Sequence, residues 1–413
     1  MDTGAGMVII GAGECGGRAA LGLREHGYEG AVTLVGDEPH HPYERPPLSK
    51  DVLALTDAPP PKWVSTPEIF VEKRIACITG KSAVAIDRAA KTVALSDSMA
   101  LSYSKLLLAT GAAPRRLALA EQAADRIAYL RTFADALGIR DHLLPGRHVA
   151  IIGGGFIGLE LAASARKRGA QVTIVEAQPR VLMRGVPEEI AEIVAARHLA
   201  EGADLLCGVG LTAITMRPDG VCIELDGGRR IDAHLAVIGI GAIPATQLAA
   251  GAGLMIDDGI AVDEFLQTSD ADIFAAGDCC SFPLAIYGGR RVRLESWRNA
   301  QDQGAVAAKN MLGAGEAISS VPWFWSDQYD LTLQIAGLAE GSTRQVRRDL
   351  GDGAFILFHL APDGRLLAAS GIGPGNAVAK DIRLAEMLIG KEATPDVNDL
   401  ASPDFRLKKL LAA

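Results

Sequence analysis

The sequence has 413 residues, 49% of them hydrophobic and 22% charged, a profile typical of a globular protein with more than one domain. Its formal net charge of −9 argues against nucleic acid as a partner, because phosphate binding needs a basic surface. We find no apolar run long enough to span a membrane and no basic segment before the short apolar stretch Met7-Val8-Ile9-Ile10, so we expect a cytoplasmic protein without a membrane partner.

The chain opens with a dinucleotide-binding pattern. A strand at Val8-Ile9-Ile10 is followed by a glycine-rich turn, a helix over 15–26 and a strand over 31–35. The turn has the spacing G-x-G-x-x-G, at Gly11, Gly13 and Gly16. The first glycine permits the tight turn, the second lets backbone approach a pyrophosphate, and the third lets helix pack on strand. Asp37, or alternatively its neighbour Glu38, then offers a carboxylate to a ribose hydroxyl.

The same pattern returns in the middle of the chain. A strand over 148–152 and a helix over 156–168 flank a second G-x-G-x-x-G turn, at Gly153, Gly155 and Gly158. Glu176 ends the next strand, where a carboxylate accepts from an unmodified ribose and repels a 2′-phosphate. NADH is therefore favoured over NADPH, a preference that Arg180 would soften. Two units predict two dinucleotides, and the economical pair is a bound FAD and an exchanging NADH.

Further elements follow between and after these units. Strands are predicted over 83–87, 92–95, 220–225, 331–336 and 354–359, and a helix over 376–389. The predicted fold class is α/β, with two Rossmann-like dinucleotide-binding domains for FAD and NAD and a C-terminal α+β domain. The predicted segments are 1–112 and 243–320 for FAD, 113–242 for NAD, and 321–413 for the C-terminal domain.

Five motifs, in order along the chain, resemble those of FAD- and NADH-dependent ferredoxin reductases. They are YERPPLSK at 43–50, ATGAAPR at 109–115, GGFIGLE at 154–160, TSDADIFAAGD at 268–278 and WFWSDQ at 323–328. The family includes reductases of the putidaredoxin reductase type and the reductase components of ring-hydroxylating dioxygenases. The resemblance covers essentially the whole chain and implies a glutathione-reductase-like arrangement.

The resemblance also implies site residues. Lys50 is expected near flavin N5 and O4, and Glu160 is expected either to pair with Lys50 or to hold the nicotinamide carboxamide; both are the candidate catalytic residues. Further cofactor contacts are expected from Arg45, Pro46, Thr110, Gly111, Arg131, Phe156, Ile157, Gly241, Gly277, Asp278, Glu295 and Trp297. Trp325 is a further candidate for the flavin face, with a core position as the alternative for it and for Glu295 and Trp297.

One departure from the family concerns the first glycine turn, which contains Glu14 and Cys15. A carboxylate pointing inward would repel FAD phosphates, so we expect Glu14 to face solvent. Asp278 is expected to precede a helix whose N-terminus faces the pyrophosphate.

The implied electron acceptor is a 2Fe-2S ferredoxin with an acidic docking face, serving a cytochrome P450 or a Rieske oxygenase. Two arginine groups are candidate docking sites, with a solvated charged surface as the alternative: Arg290, Arg291, Arg293 and Arg298, or Arg344, Arg347 and Arg348.

Three other functions share this architecture. A disulfide reductase would need a redox-active cysteine pair beside the flavin, and the six cysteines offer no C-x-x-C, C-x4-C or zinc-type spacing. The adjacent Cys279 and Cys280 are interpreted as reduced thiols, and no metal site is predicted. A monodehydroascorbate or quinone reductase, and a flavoprotein acting in redox signalling, stay as alternatives.

Overall fold

The computed structural model describes residues 5–411, which divide into two compact units. The first unit runs up to Arg45 and also holds Pro61–Ala113 and Ile243–Pro322. The second holds Pro46–Pro60, Pro114–Ala242 and the chain from Trp323 onward. The division into four segments stays a prediction; residues 46–60, assigned there to the FAD segment, lie in the second unit. Residues 1–4, on which the expectation about a signal segment partly rests, are outside the described residues.

The first unit is built on a largely parallel sheet. Neighbouring strands follow the order Ile75–Ile78, Val32–Val35, Gly6–Ile10, Ala100–Leu108 and Ile273–Ala275. The hairpin Ala83–Asp87 and Thr92–Leu95 extends Ala100–Leu108 on its antiparallel side. Every residue of Gly6–Ile10 is buried, as expected for a central parallel strand that is covered on both faces.

Two helices of this unit pack unusually closely. They are Glu14–Glu25 and Trp297–Met311. A Cβ added at Gly304 would lie 2.6 Å from the carbonyl oxygen of Cys15, so glycine is required at this crossing. The unit also contains the helices Pro67–Glu72 and Gln247–Gly251, the strands Ile260–Ala261, Cys280–Leu284 and Arg290–Val292, and the 3-10 turns Gly277–Cys279 and Ala285–Tyr287.

The second unit repeats the parallel design. Its sheet has the order Asp204–Cys207, Gln171–Glu176, His148–Ile152, Leu235–Ile238 and Ile127–Ala128. An antiparallel sheet is formed by Leu211–Arg217, Gly220–Leu225 and Arg230–Ala233. The helices are Asp51–Ala54, Phe133–Arg140, Phe156–Lys167 and Glu188–Ala200, with 3-10 segments at Pro46–Ser49, Ala118–Arg126 and Asp226–Gly228. The strands Ala112–Pro114 and Ala242–Pro244 lie where the chain leaves and re-enters the first unit.

The C-terminal part of the second unit is an antiparallel sheet with helices. Its strand order is Trp323–Gln328, Leu331–Gly337, Leu366–Pro374, Ala354–Leu360 and Arg344–Gly351. The helix Ala379–Gly390 packs on this sheet through buried residues such as Ile382 and Leu388. Val397–Ala401 and the 3-10 segment Leu407–Leu411 follow.

The predicted fold class is therefore confirmed, with both Rossmann-like units and the C-terminal α+β part present. The helix predicted over 376–389 begins at Ala379, because residues 375–378 form the turn that follows the strand Leu366–Pro374. Among residues 5–411 we find no helix long and apolar enough to cross a bilayer.

Candidate functional site

The first glycine turn lies between the strand Gly6–Ile10 and the helix Glu14–Glu25. Gly11 has φ +113°, and an added Cβ would lie 2.0 Å from the carbonyl oxygen of Ala109. A Cβ at Gly16 would lie 1.9 Å from the carbonyl oxygen of Gly11. Both glycines are therefore required by the fold itself. The second turn repeats these constraints at Gly153, with φ +110°, and at Gly158.

The middle glycine of each turn, unlike the first and the third, is not required by the fold. Gly13 and Gly155 have φ of −93° and −82°, which any residue adopts, and an added Cβ would meet nothing within 4 Å at either position. Neither packing nor backbone conformation of the chain requires glycine there. Each residue precedes a helix whose first N–H groups have no side-chain cap. The open space and the free donors together fit a pyrophosphate, for FAD at one turn and NADH at the other.

Glu176 is tied to the second turn. Its Oε2 accepts from the backbone N–H of Gly154 at 2.6 Å, and its Oε1 accepts from the N–H of Gln178 at 2.7 Å. These bonds hold the carboxylate beside the glycine turn, where the adenosine ribose is expected. The guanidinium of Arg180 donates instead to carbonyl oxygens of its own loop, at Val181, Leu182 and Val186, at 3.0 to 3.3 Å.

Asp37 and Glu38, the acidic candidates that follow the first glycine turn, do not lie at the position that corresponds to Glu176. Strand pairing aligns Ile10 with Val35 in the first unit and Ile152 with Val175 in the second, so Gly36 occupies the place that corresponds to Glu176. Asp37 is exposed, whereas Glu38 is half-buried. Glu38 accepts from Tyr43 Oη at 2.6 Å and from Arg45 Nη2 at 2.8 Å. The structure thus groups Glu38 with a sequence-predicted cofactor residue.

Lys50 and Glu160 form an ion pair in the second unit. Lys50 Nζ lies 3.0 Å from Glu160 Oε1, and the Glu160 side chain is 4% exposed. Ser49 Oγ donates to Glu160 Oε2 at 2.5 Å, and Ser326 Oγ donates to Oε1 at 2.6 Å. The pairing considered from the sequence is present, whereas the catalytic role of either residue stays a prediction. Sequence reasoning missed both serines.

The loop that carries Lys50 is anchored by side chains that sequence analysis did not identify. Ser164 Oγ donates to the carbonyl oxygen of Ser49 at 2.7 Å. The buried Arg140 donates to the carbonyl oxygens of Val52 and Leu53, at 2.8 and 3.3 Å, and to that of Thr56. These bonds satisfy carbonyl groups at the end of a short helix and fix the loop that carries Lys50 within the second unit.

An aromatic side chain of the C-terminal sheet lies beside Lys50. Lys50 Nζ lies 5.4 Å from the ring centroid of Trp325, whose ring stacks on Trp323 at 5.4 Å. Phe156, the first residue of its helix, contacts Phe324 edge to face at 4.8 Å. Ile157 is 48% exposed beside the glycine turn, and its contact with the nucleotide stays a prediction.

Other predicted cofactor residues of the first unit lie on backbone bends. Gly111 and Gly277 have φ of +70° and +81°. Thr110 Oγ1 donates to the carbonyl oxygen of Ala245 at 2.7 Å, and the N–H of Gly277 donates to Gln303 Oε1 at 2.6 Å. Gln303 is fully buried and was not foreseen from sequence.

The next α-helix after Asp278 is Trp297–Met311, and the approach of a helix N-terminus to the pyrophosphate stays a prediction. A 3-10 turn, Gly277–Cys279, leads into the strand Cys280–Leu284, because these apolar residues continue extended into a buried sheet. Asp278 itself lies in this 3-10 turn and is partly accessible. It stays a candidate for a ribityl hydroxyl.

The expectation that Glu14 faces solvent is also wrong. The close approach of the two helices brings Gln301 Nε2 within 2.9 Å of Glu14 Oε1, and the carboxyl group is partly buried. Burial raises the pKa of Glu14, and the hydrogen bond from Gln301 opposes this shift. The carboxyl group therefore lies between helices and not in the surrounding water.

Cys15, Cys279 and Cys280 are free thiols in the buried core of the first unit. Burial raises the pKa of all three, so the reactive thiolate form is disfavoured. The interpretation of Cys279 and Cys280 as reduced thiols agrees with this environment.

The remaining predicted cofactor residues lie in several places. Arg131 is half-buried just before the helix Phe133–Arg140, and Pro46 opens a 3-10 segment of the second unit. Gly241 has φ +106° and accepts from the N–H of Arg115 at 2.9 Å. In the first unit, Glu295 is exposed and paired with Arg293, and Trp297 begins a helix capped by Ser296.

Several arginines of the two candidate docking groups already form ion pairs within the chain. Arg291, Arg293 and Arg298 each pair with a nearby carboxylate, of Asp257, Asp258 and Asp302. Arg344 is exposed, and Arg347 pairs with Glu189.

Arg348 is 3% exposed and donates to carbonyl oxygens of Ser402 and Phe405 at 2.6 and 2.7 Å, so its proposed contact with a partner is wrong. Successive strand residues point to opposite faces, which places Arg348 inward when Arg347 points outward.

Comparison with known proteins extends these observations. Residues 6–304 match the family described as pyridine nucleotide-disulphide oxidoreductase, and residues 323–411 match the reductase C-terminal family. The anthranilate 1,2-dioxygenase system ferredoxin–NAD(+) reductase component of Burkholderia cepacia is 41% identical over 409 residues, 98% of this chain and 99% of that protein. Rhodocoxin reductase of Rhodococcus erythropolis is 38% identical over 408 residues, covering 98% and 94%.

A solved structure shows the same likeness in three dimensions. The covalent putidaredoxin reductase–putidaredoxin complex matches with a TM-score of 0.93 and 36% identity, covering 100% of this chain and 99% of that chain. The match therefore includes both glycine turns and the C-terminal sheet.

Proposed function

This chain belongs to the pyridine nucleotide-disulphide oxidoreductase family, and we propose that it is an FAD-dependent enzyme that takes hydride from NADH and passes single electrons to a 2Fe-2S ferredoxin. The observation that carries the proposal is the pair of middle glycines, Gly13 and Gly155, which the chain itself does not require. Two such openings at uncapped helix starts provide for two dinucleotides. The ferredoxin would serve a cytochrome P450 or a Rieske oxygenase.

The residues of the chain have separate tasks in this proposal. Glu176 orients the NADH ribose, and the second glycine turn binds its pyrophosphate. Lys50, held by Glu160, places a positive charge where electron density collects on a reduced flavin. When bound, FAD accepts two electrons from NADH together and releases them singly, which an iron–sulfur acceptor requires.

The choice of ferredoxin as acceptor is supported by the named relatives. The Burkholderia relative is a ferredoxin–NAD(+) reductase component of a dioxygenase system, and the matched structure is a complex of a reductase with putidaredoxin. Both are covered almost end to end, so the comparison includes the domains that would accept NADH and the partner. A disulfide reductase receives no support from the four thiols of the first unit, because burial raises the pKa of Cys15, Cys77, Cys279 and Cys280. A cytoplasmic location stays a prediction.

The decisive experiment is an anaerobic titration of the purified flavoprotein with NADH, followed by mixing with oxidised 2Fe-2S ferredoxins. We expect bleaching of the flavin by about one equivalent of NADH, and then bleaching of the cluster with return of the flavin colour. A protein that binds no flavin would overturn the proposal. If no ferredoxin reoxidises the reduced flavin but a quinone or monodehydroascorbate does, the acceptor is that small molecule and not a ferredoxin.

A further inference from the structure

The carboxylate of Glu160 is held by more than its ion pair. Ser49 donates to Oε2, whereas Lys50 and Ser326, the latter on the strand Trp323–Gln328, both bind Oε1. Ser49 and Ser326 are each 1% exposed. Since both carboxylate oxygens accept from fixed hydroxyl groups, the carboxylate is not free to follow the flexible lysine.

The hydrogen bonding continues beyond Ser326 through buried side chains. Gln328 Nε2 lies 3.2 Å from Ser326 Oγ, and His198 Nε2 lies 2.8 Å from Gln328 Oε1. Tyr329 Oη lies 3.2 Å from His198 Nδ1. His198 is fully buried and Gln328 is 3% exposed. The chain of bonds therefore runs from Glu160 to the helix Glu188–Ala200.

The chemistry of each group determines the direction of every bond. An ionised Glu160 only accepts, so the single proton of Ser326 is donated to it, and Ser326 must accept from the amide nitrogen of Gln328. Gln328 Oε1 then accepts from Nε2–H of His198, which leaves Nδ1 to accept from Tyr329. Burial lowers the pKa of His198, consistent with this neutral ring. Four donors thus point in sequence toward one carboxylate, an arrangement in which each bond polarises the next.

We propose that Ser326, Gln328 and His198 are positioning residues, which hold Glu160 in the orientation that fixes Lys50 for flavin reduction by NADH. This inference rests on the proposed function of the Lys50–Glu160 pair. It makes the geometry of that pair depend on a hairpin of the C-terminal sheet and on a helix of the NAD-binding part. Removing any donor leaves the next group without its bond and loosens the carboxylate.

The first test measures flavin reduction by NADH in the holoenzyme under anaerobic stopped-flow conditions. Ser326→Ala is expected to lower the limiting rate about 3- to 10-fold with a smaller change in the Kd for NADH. Ser326→Thr keeps a hydroxyl donor and should restore the rate to within about twofold. A rate that is unchanged in Ser326→Ala, or one that Ser326→Thr leaves as low, would overturn the inference.

A second pair of variants tests the far end of the chain. His198→Leu removes the donor and should slow flavin reduction in the same direction, whereas His198→Gln keeps an N–H at the Nε2 position and should recover most of the rate. Ser370→Ala is the matched control, because Ser370 is bonded to His359 at 3.1 Å in the same sheet, away from Glu160. Equal slowing by Ser370→Ala would show a general loss of packing and count against the positioning role.

A spectroscopic test does not depend on turnover. Nitrogen-15 NMR of the histidine rings in the holoenzyme, with His198→Gln for assignment, should show His198 as the neutral Nε2–H tautomer at pH 7.5. An Nδ1–H tautomer would leave Nε2 without a proton to donate to Gln328 and would overturn the inference.

The reference variant is Glu160→Gln. If it reduces flavin as fast as the wild type, the function proposed for Glu160 is wrong. If it is slow while Ser326→Ala and His198→Leu are fast, only the inference about positioning is wrong.

Discussion

The Glu176 carboxylate accepts from the backbone N–H of Gly154 at 2.6 Å, which joins the end of the strand Gln171–Glu176 to the glycine turn before the helix Phe156–Lys167. If the adenosine ribose lies beside Glu176, as the sequence predicts, a 2′-phosphate of NADPH would meet this negative charge. Glu176→Gln keeps an acceptor oxygen and removes the charge, so we expect the ratio of kcat/KM for NADH to that for NADPH to fall about tenfold. Steady-state kinetics with both nucleotides measure this ratio.

Arg180→Ala is the companion variant for that measurement. Because the guanidinium of Arg180 is bound to carbonyl oxygens of its own loop, its removal should leave the nucleotide ratio unchanged. A marked loss of NADPH use in Arg180→Ala would mean that the arginine turns outward and binds the 2′-phosphate.

The second prediction concerns Lys50. Lys50→Met removes a cation bonded to a buried carboxylate, so the limiting rate of flavin reduction should fall about 10- to 100-fold. Stopped-flow absorbance at the flavin band provides the measurement. Lys62→Met is the control, since Lys62 is 65% exposed and pairs with Glu44 in the first unit. Similar limiting rates of flavin reduction in Lys50→Met and Lys62→Met would show that Lys50 has no catalytic role.

The third prediction separates Glu38 from Asp37 as the ligand of the FAD ribose. Glu38 is held by Tyr43 and Arg45, whereas Asp37 is exposed. Glu38→Ala should therefore weaken FAD binding about 10- to 100-fold, and Asp37→Ala should change it less than about threefold. Flavin fluorescence released on dilution of each variant reports the Kd. The reverse order would assign the ribose to Asp37.

The fourth prediction concerns the docking of an acidic ferredoxin. Arg344 is exposed on the C-terminal sheet, so Arg344→Glu should slow ferredoxin reduction several-fold at low salt while NADH–ferricyanide turnover is unchanged. The difference should disappear in about 0.5 M salt. Arg383→Glu, at an exposed position of the helix Ala379–Gly390, is the control. Identical ferredoxin kinetics in Arg344→Glu and the wild type at low salt would exclude Arg344 from docking.

The fifth prediction follows from His359. Burial lowers the pKa of His359 to about 4, from an ordinary value of 6.5. Between pH 6.5 and 4, His359 is protonated in the unfolded chain but neutral in the folded chain. The free energy of unfolding therefore decreases as pH falls from 6.5 towards 4, by roughly 3 kcal/mol at most. His359→Gln keeps a donor for Ser370 without this titration. Thermal unfolding at pH 7.5 and 5 should show a smaller loss for the variant, and parallel losses would contradict the prediction.

Short-range patterns were sufficient to predict the two glycine turns, the strands and helix beside each of them, and the position of Glu176 at the end of a strand. A strand, a tight turn and a helix start are each specified by neighbouring residues, through steric limits at Gly11 and Gly153 and the alternation of apolar residues. The resemblance of five motifs to one family indicated Lys50 and Glu160 in the same way, since each motif is local.

The predictions that were wrong concern contacts between residues that are distant in the sequence. Glu14 is drawn between helices by Gly304, a residue far along the chain, and Arg348 is turned inward by carbonyl groups of the C-terminal segment. The residues that neighbour Glu14 and Arg348 in the sequence give no pattern that predicts either contact, because both contacts depend on which elements pack together.

Tertiary packing alone decided how the central ion pair is held. Ser326 and His198 are 166 and 130 residues from the groups they bond, Glu160 and Gln328, and no spacing rule connects them. A buried hydrogen bond needs donor and acceptor within about 3 Å in a fixed direction, a condition set by the three-dimensional arrangement of distant segments and not by their order in the chain.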